Sequence, residues 1–206
     1  MKTRAELKAM AKESLQGKYG DAIVITVLLF IISALIGGGT AAFTTNMSEE
    51  NAEIIESIVE LILSGLFTFG YLSFFLKISR NEDVEINELW SKTSMFMTFI
   101  AAAILIGLFT TLWTLLLIIP GIIAAYSYQM TLYILLDNPN MNVMDAIKES
   151  KRMMKGHKMD YFILQLSFIG WIILGIFTLG ILYLWLVPYM NVTMCNFYNN
   201  LKELSE

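Results

Sequence analysis

The sequence predicts an all-α polytopic membrane protein, with six transmembrane helices forming three hairpins, each preceded by a cytoplasmic amphipathic segment. Three observations predict it. The 206 residues are 56% hydrophobic and only 16% charged, whereas soluble domains carry about a quarter charged residues. Residues 93–136 and 161–201 hold no charged side chain. The first of these runs would extend about 66 Å as one helix, roughly twice a bilayer's hydrocarbon core, so it must turn back. Finally, all fourteen lysines and arginines fall on alternate connections: five before residue 22, three in 77–94, five in 137–159 and one in the tail. The intervening connections, 40–53 and those around Pro120 and Gly180, have none. The positive-inside rule then places both termini in the cytoplasm. The chain reads as a single membrane domain, 1–206, with hairpin units of about 1–78, 79–137 and 138–206.

Residues 3–16 predict an amphipathic helix. Thr3 caps it and Glu6 completes a capping box. Leu7, Met10, Ala11 and Leu15 fall on one side, with lysines turned away, which suits the headgroup layer. Gly17 and Gly20 break it. The apolar run from Ala22 is long enough to span, so it predicts an uncleaved first helix over about 22–39 ending at Gly37-Gly38-Gly39. The second span, about 54–77, carries Glu56 and Glu60 on one face of its opening turns. They are either a cation or proton site or acids favoured at a helix N-terminus, the second being the simpler reading.

A polar stretch, 79–92, follows, with a short amphipathic piece at 87–90 and Trp90 suited to the interface. The central hairpin, about 95–118 and 121–136, is expected to turn at Pro120 and Gly121, since proline cannot continue a helix and glycine tolerates a tight reversal. Residues 142–158 form a basic helix whose Lys148, Lys151, Arg152, Lys155 and Lys158 suit anionic lipid headgroups at the cytoplasmic face. Without aromatic interleaving or a phosphate loop, nothing there supports nucleic acid. The last hairpin, about 160–177 and 181–201, turns at Gly180 and is kinked by Pro188.

Chemistry is sparse. His157 is the only histidine and Cys195 the only cysteine, so neither a multi-histidine nor a cysteine-based metal site is available, and no cofactor is implied. No nucleophile elbow or Walker loop occurs. The amides Gln129, Gln165, Asn191 and Asn196 lie within the spans, where they are costly to leave unpaired. They either line a polar pocket for a small ligand or headgroup, or bond between helices. Ala103/Gly107 and Gly121/Ala125 suit close helix packing.

The first and third units share letters. Lys12-Glu13-Ser14 leads to Gly17-Lys18 and Asp21, and Lys148-Glu149-Ser150 leads to Gly156-His157 and Asp160. The middle unit, 88–94, matches less well. Repeated hairpins about a shared centre are an organisation used by some transporters.

Five motifs point to a family. Thr3-Arg4-Ala5-Glu6-Leu7-Lys8, Ile118-Ile119-Pro120-Gly121-Ile122, Asp137-Asn138-Pro139, Met153-Met154-Lys155-Gly156-His157-Lys158 and Gln165-Leu166-Ser167-Phe168-Ile169-Gly170-Trp171 resemble the bacterial membrane family called domain of unknown function 975, over essentially the whole chain. The resemblance implies a polytopic bacterial plasma-membrane protein and no assignable catalytic residue. The favoured expectation is a non-enzymatic accessory protein that binds lipid, a membrane-protein partner or a second copy. A carrier or exporter of a small or amphiphilic molecule comes second and a membrane enzyme third. A water-filled cavity reaching Gln165 and Asn191 would favour the carrier, a dry bundle with an exposed small-residue groove would favour the accessory, and clustering of Asp137, His157 and Asp160 would favour catalysis.

Overall fold

The computed structural model describes residues 1–205, and among them every regular element is helical. Five stretches are long and apolar enough to cross a bilayer: Tyr19–Thr44, Glu49–Ser79, Glu88–Leu116, Ile118–Asp137 and Lys158–Phe177. Their outward faces are strongly apolar. Leu117 and Leu179, at two chain reversals, are 63% and 93% exposed, which suits hydrocarbon rather than water.

Helix α1 (Arg4–Ser14) carries the expected cap: the Glu6 amide donates to the Thr3 hydroxyl, and the Thr3 amide donates to the Glu6 carboxylate. Its apolar stripe does not lie free on a headgroup layer. Leu7, Ala11 and Leu15 are fully enclosed, chiefly against α11 (Tyr183–Ser205). Helix α11 is the central post, packed by α1, α2 (Tyr19–Thr44) and α3 (Glu49–Ser79). Protein rather than lipid covers much of its second half, from Val192 to Tyr198. That explains why it tolerates four asparagines and stands outside the five most apolar stretches.

Several boundaries differ from those expected. Helix α2 does not stop at Gly37-Gly38-Gly39 but runs on to Thr44. Glycine is tolerated because a helix satisfies its own backbone polar groups, which apolar surroundings demand. The Thr40 and Thr44 hydroxyls also donate back to carbonyls one turn earlier. Helix α3 starts at Glu49, so Glu56 and Glu60 lie two to three turns inside it rather than in its opening turns.

Helix α4 (Glu88–Ser91) crosses α3 at Gly70, where a side chain would collide with the Leu89 backbone. Gly65 similarly admits the Phe96 ring of α5 (Phe96–Leu116). Gly107 faces open space. Trp90 is exposed and packs edge-on against Phe67 at 5.0 Å.

After α5 the chain folds back through one extended residue, Leu117. Pro120 lies in the first turn of α6 (Ile118–Ser127), where its missing amide costs little. Gly121 is the close contact, since a side chain there would strike Thr114. The stretch expected as one helix over 121–136 is broken between α6 and α7 (Thr131–Asp137). The cause is Ser150 on α8 (Val143–Met153). Its buried hydroxyl donates to the Ser127 carbonyl at 2.8 Å and accepts the Met130 amide at 3.1 Å. A side chain inserted into the ladder is a standard source of a helix break.

A second break separates α9 (Lys158–Leu166) from α10 (Ile169–Phe177). There the Lys8 ammonium donates to the Ser167 carbonyl at 3.1 Å and sits 3.9 Å over the Phe168 ring. Burial and nearby Arg4 together hold Lys8 below the ordinary lysine range. The chain then reverses through Leu179 and Gly180, both with positive φ. α11 contains Pro188 and closes against α10, where Gly175 makes room for the Tyr183 ring.

Candidate functional site

A cavity of about 470 Å³ opens between α6, α9, α10 and α11. Its polar lining is Tyr126, Gln165 and Asn191, and Phe162, Ile169 and Met190 contribute apolar wall. Each polar group is held by a partner. The Tyr126 hydroxyl donates to Gln165 Oε1 at 3.0 Å. Asn191 Nδ2 donates to the Tyr71 hydroxyl at 3.0 Å and to the Val187 carbonyl at 2.8 Å, which leaves Oδ1 as an acceptor. Pro188 withholds the amide that would meet the Leu184 carbonyl, and Asn191 bonds to its neighbour Val187 instead. Polar groups and apolar wall thus share one amphipathic chamber, a composition suited to a molecule with a polar head and an apolar body.

The other two span amides lie elsewhere. Gln129 is exposed in the break between α6 and α7. Asn196 is buried in the core, where its Nδ2 donates to the Leu7 carbonyl at 3.3 Å and its Oδ1 is unpaired. It ties α1 to α11.

The basic residues Lys148, Lys151, Arg152 and Lys155 are exposed, while Lys158 is half-buried at the start of α9. Acids partly neutralise them. Lys148 pairs with Asp145 at 3.1 Å, and Arg152 grips Glu149 through two bonds that hold its carboxyl below the usual range. Lys151 and Lys155 have no acidic partner among the described residues.

Two carboxylate clusters were not legible in the sequence. Asp137, at the end of α7, is 9% exposed in its side chain and accepts from both terminal nitrogens of Arg80, at 2.9 and 2.8 Å. The Lys202 ammonium reaches it at 2.7 Å and the Tyr198 hydroxyl at 3.0 Å. Burial alone would lower the Arg80 pKa, but the Asp137 carboxylate more than offsets this and raises it. The cluster staples the ends of α3, α7 and α11. Glu88 does the same for α3 and α4, accepting from Ser73 at 2.6 Å and Lys77 at 2.7 Å. Only tertiary folding brings these partners together, because Arg80 and Asp137 are 57 positions apart.

His157 contacts Asp160 at 3.3 Å one turn along, and neither joins the Asp137 cluster. Among the described residues no three metal-binding side chains converge.

A larger cavity, about 650 Å³, lies between α2 and α3. It holds Glu56 and Glu60 at one end and Tyr71 at the other.

The sequence model of the family described as "Protein of unknown function (DUF975)" matches residues 1–120 and 114–205, which together leave out only the last residue. The chain belongs to that family. No curated protein and no solved structure is similar to it.

Proposed function

We propose that this DUF975 member is a six-span protein of the bacterial plasma membrane, both termini cytoplasmic, that binds a lipid-like amphiphile without transforming it. α11 would be the sixth span, paired with α9 and α10. The observation that carries the reading is the single chamber reached by both Gln165 and Asn191, whose side-chain amides lie beside an apolar wall. Its volume falls within the roughly 300–1,000 Å³ of ligand pockets. The wholly asymmetric distribution of lysine and arginine supports the orientation. Asp137 is occupied by Arg80 and Lys202, away from His157 and Asp160, which supports a non-catalytic role. The exposed Lys151 and Lys155 would meet anionic headgroups, and the same face could receive a membrane-protein partner or a second copy.

Carriage of the bound amphiphile is the second reading. Pro188 favours it, because it weakens α11 one turn from Asn191 and provides a hinge beside the chamber.

The test is native mass spectrometry of the protein released gently from its own membrane, alongside a Gln165→Leu/Asn191→Leu variant. The wild type should carry one defined amphiphile, and the variant should lose it while eluting as a folded species. A wild-type chain free of ligand, or a variant that retains it, would refute the proposal.

A further inference from the structure

The cavity between α2 and α3 is chemically unlike the chamber beside Asn191. Ser33, Ser64 and Thr68 add hydroxyls to a mainly apolar wall that includes Ile32, Leu63 and Phe67. From Glu56 to Tyr71 it follows fifteen residues of α3, about 22 Å at 1.5 Å per residue. One end is anionic. Glu56 and Glu60 sit one turn apart on the cavity side of α3, and neither is ion-paired among the described residues. No lysine or arginine occurs anywhere between Lys18 and Lys77, the whole of α2 and nearly all of α3.

Depth makes those carboxylates unusual. About 20 helical residues cross the hydrocarbon core. Counted back from Lys77 they reach position 57, which puts Glu60 roughly one turn inside the core and Glu56 at its edge. An acid inside the membrane is expensive unless it meets a cation or water. Both are exposed and line the groove, and with no cation supplied by the protein among the described residues the pair calls for a positive group from outside. The groove continues from the carboxylates as apolar wall, so the cation's attached chain would lie along α3 toward Tyr71.

We propose that the α2–α3 groove binds a cationic amphiphile, with its ammonium head between Glu56 and Glu60 and its alkyl chain along Ile32, Leu63 and Phe67. The site is separate from the Gln165–Asn191 chamber. It stands if that chamber proves empty, and it requires only that α2 and α3 lie in the membrane. The two meet at Tyr71, which lines the groove and whose hydroxyl accepts the bond from Asn191.

The experiment measures dodecylammonium binding to the full chain in phosphatidylcholine nanodiscs by native mass spectrometry, with dodecanol as the uncharged competitor. One saturable adduct per chain is expected, which dodecanol displaces poorly. Glu60→Gln and Glu56→Gln should each weaken it about tenfold, as loss of one charge-assisted contact does. Ser64→Leu, which obstructs the groove without touching its charge, should weaken it too, whereas Gln165→Leu should leave it unchanged. Equal competition by dodecanol would reduce the groove to an apolar lipid slot and overturn the proposal. So would unaltered binding in the two Glu→Gln variants, or loss in Gln165→Leu alone.

Discussion

The segments leading into α2 and into α9 are built alike and end differently. α1 and α8 each have eleven residues and a side-chain N-cap, Thr3 and Asn142. Each is followed by a four-residue turn with a positive-φ glycine, Gly17 at 77° and Gly156 at 88°. The next residue, Lys18 or His157, has φ −112° and N-caps the following helix, which bears Asp21 or Asp160 in its first turn. Every one of these pairs is 139 positions apart, as from Thr3 to Asn142. The shared Lys-Glu-Ser letters, 136 apart, are three residues out of step with that match. Structural equivalence places Ser150 opposite Ala11, not opposite Ser14. There the two regions part. Ala11 packs silently against the core, whereas Ser150 reaches into the next helical stretch and divides α6 from α7. One hydroxyl on a shared scaffold converts a packing helix into one that shapes its neighbours.

The largest expected effect comes from removing that hydroxyl. Ser150→Ala leaves the buried Met130 amide and Ser127 carbonyl unpaired, which costs about 2–4 kcal/mol. Ala11→Ser at the matched position should cost under about 1 kcal/mol, because a helical serine can bond back to its own helix. Thermal unfolding in detergent would separate the two, and equal losses would dissolve the distinction.

Next are the turns. Gly17→Ala and Gly156→Ala meet no neighbouring atoms, so only left-handed backbone strain acts, about 1–2 kcal/mol each. Equal melting shifts would sharpen the likeness, and a marked inequality would break it.

Smaller still are the caps. Thr3→Ala and Asn142→Ala should each cost about 1 kcal/mol, with Thr3 the larger because it also supports the reciprocal Glu6 bond. Amide hydrogen exchange in the first turns of α1 and α8 would report both.

The smallest effect concerns charge and belongs to α8. Lys151→Gln or Lys155→Gln should weaken phosphatidylglycerol binding to the chain in mixed-lipid nanodiscs by up to about 1 kcal/mol each at low salt. Lys148→Gln should do less, since Asp145 already shares its charge. Native mass spectrometry of the retained phosphatidylglycerol adducts across a salt series would rank them.

Much of the fold was legible because it depends on local rules. The Thr3–Glu6 box needs only neighbours on one helix, and the reversal near Pro120 follows from a run too long for one bilayer crossing. Gly17 marked the turn after α1 because a left-handed residue strongly favours glycine, whereas the basic helix expected over 142–158 ends at Met153 and turns at Gly156. The candidate site was half legible. Intramembrane amides drew notice by their cost in lipid, but nothing in the sequence said that Gln165 and Asn191 would share a chamber while Gln129 and Asn196 would not. That depends on which helix faces which. Glu56 and Glu60 were visible as a pair, yet only the structure places them two to three turns inside α3 and along a groove shared with α2.

By itself, then, the sequence determined the membrane as solvent, the helical class and the principal reversals, because hydropathy, proline and glycine act over a few residues. Tertiary structure alone decided the rest: the central place of α11, the break made by Ser150, the carboxylate staples at Asp137 and Glu88, and the two cavities. Each of these joins side chains far apart in the chain. In apolar surroundings, where backbone groups must find protein partners, such long-range hydrogen bonds settle where helices stop and what the spaces between them hold.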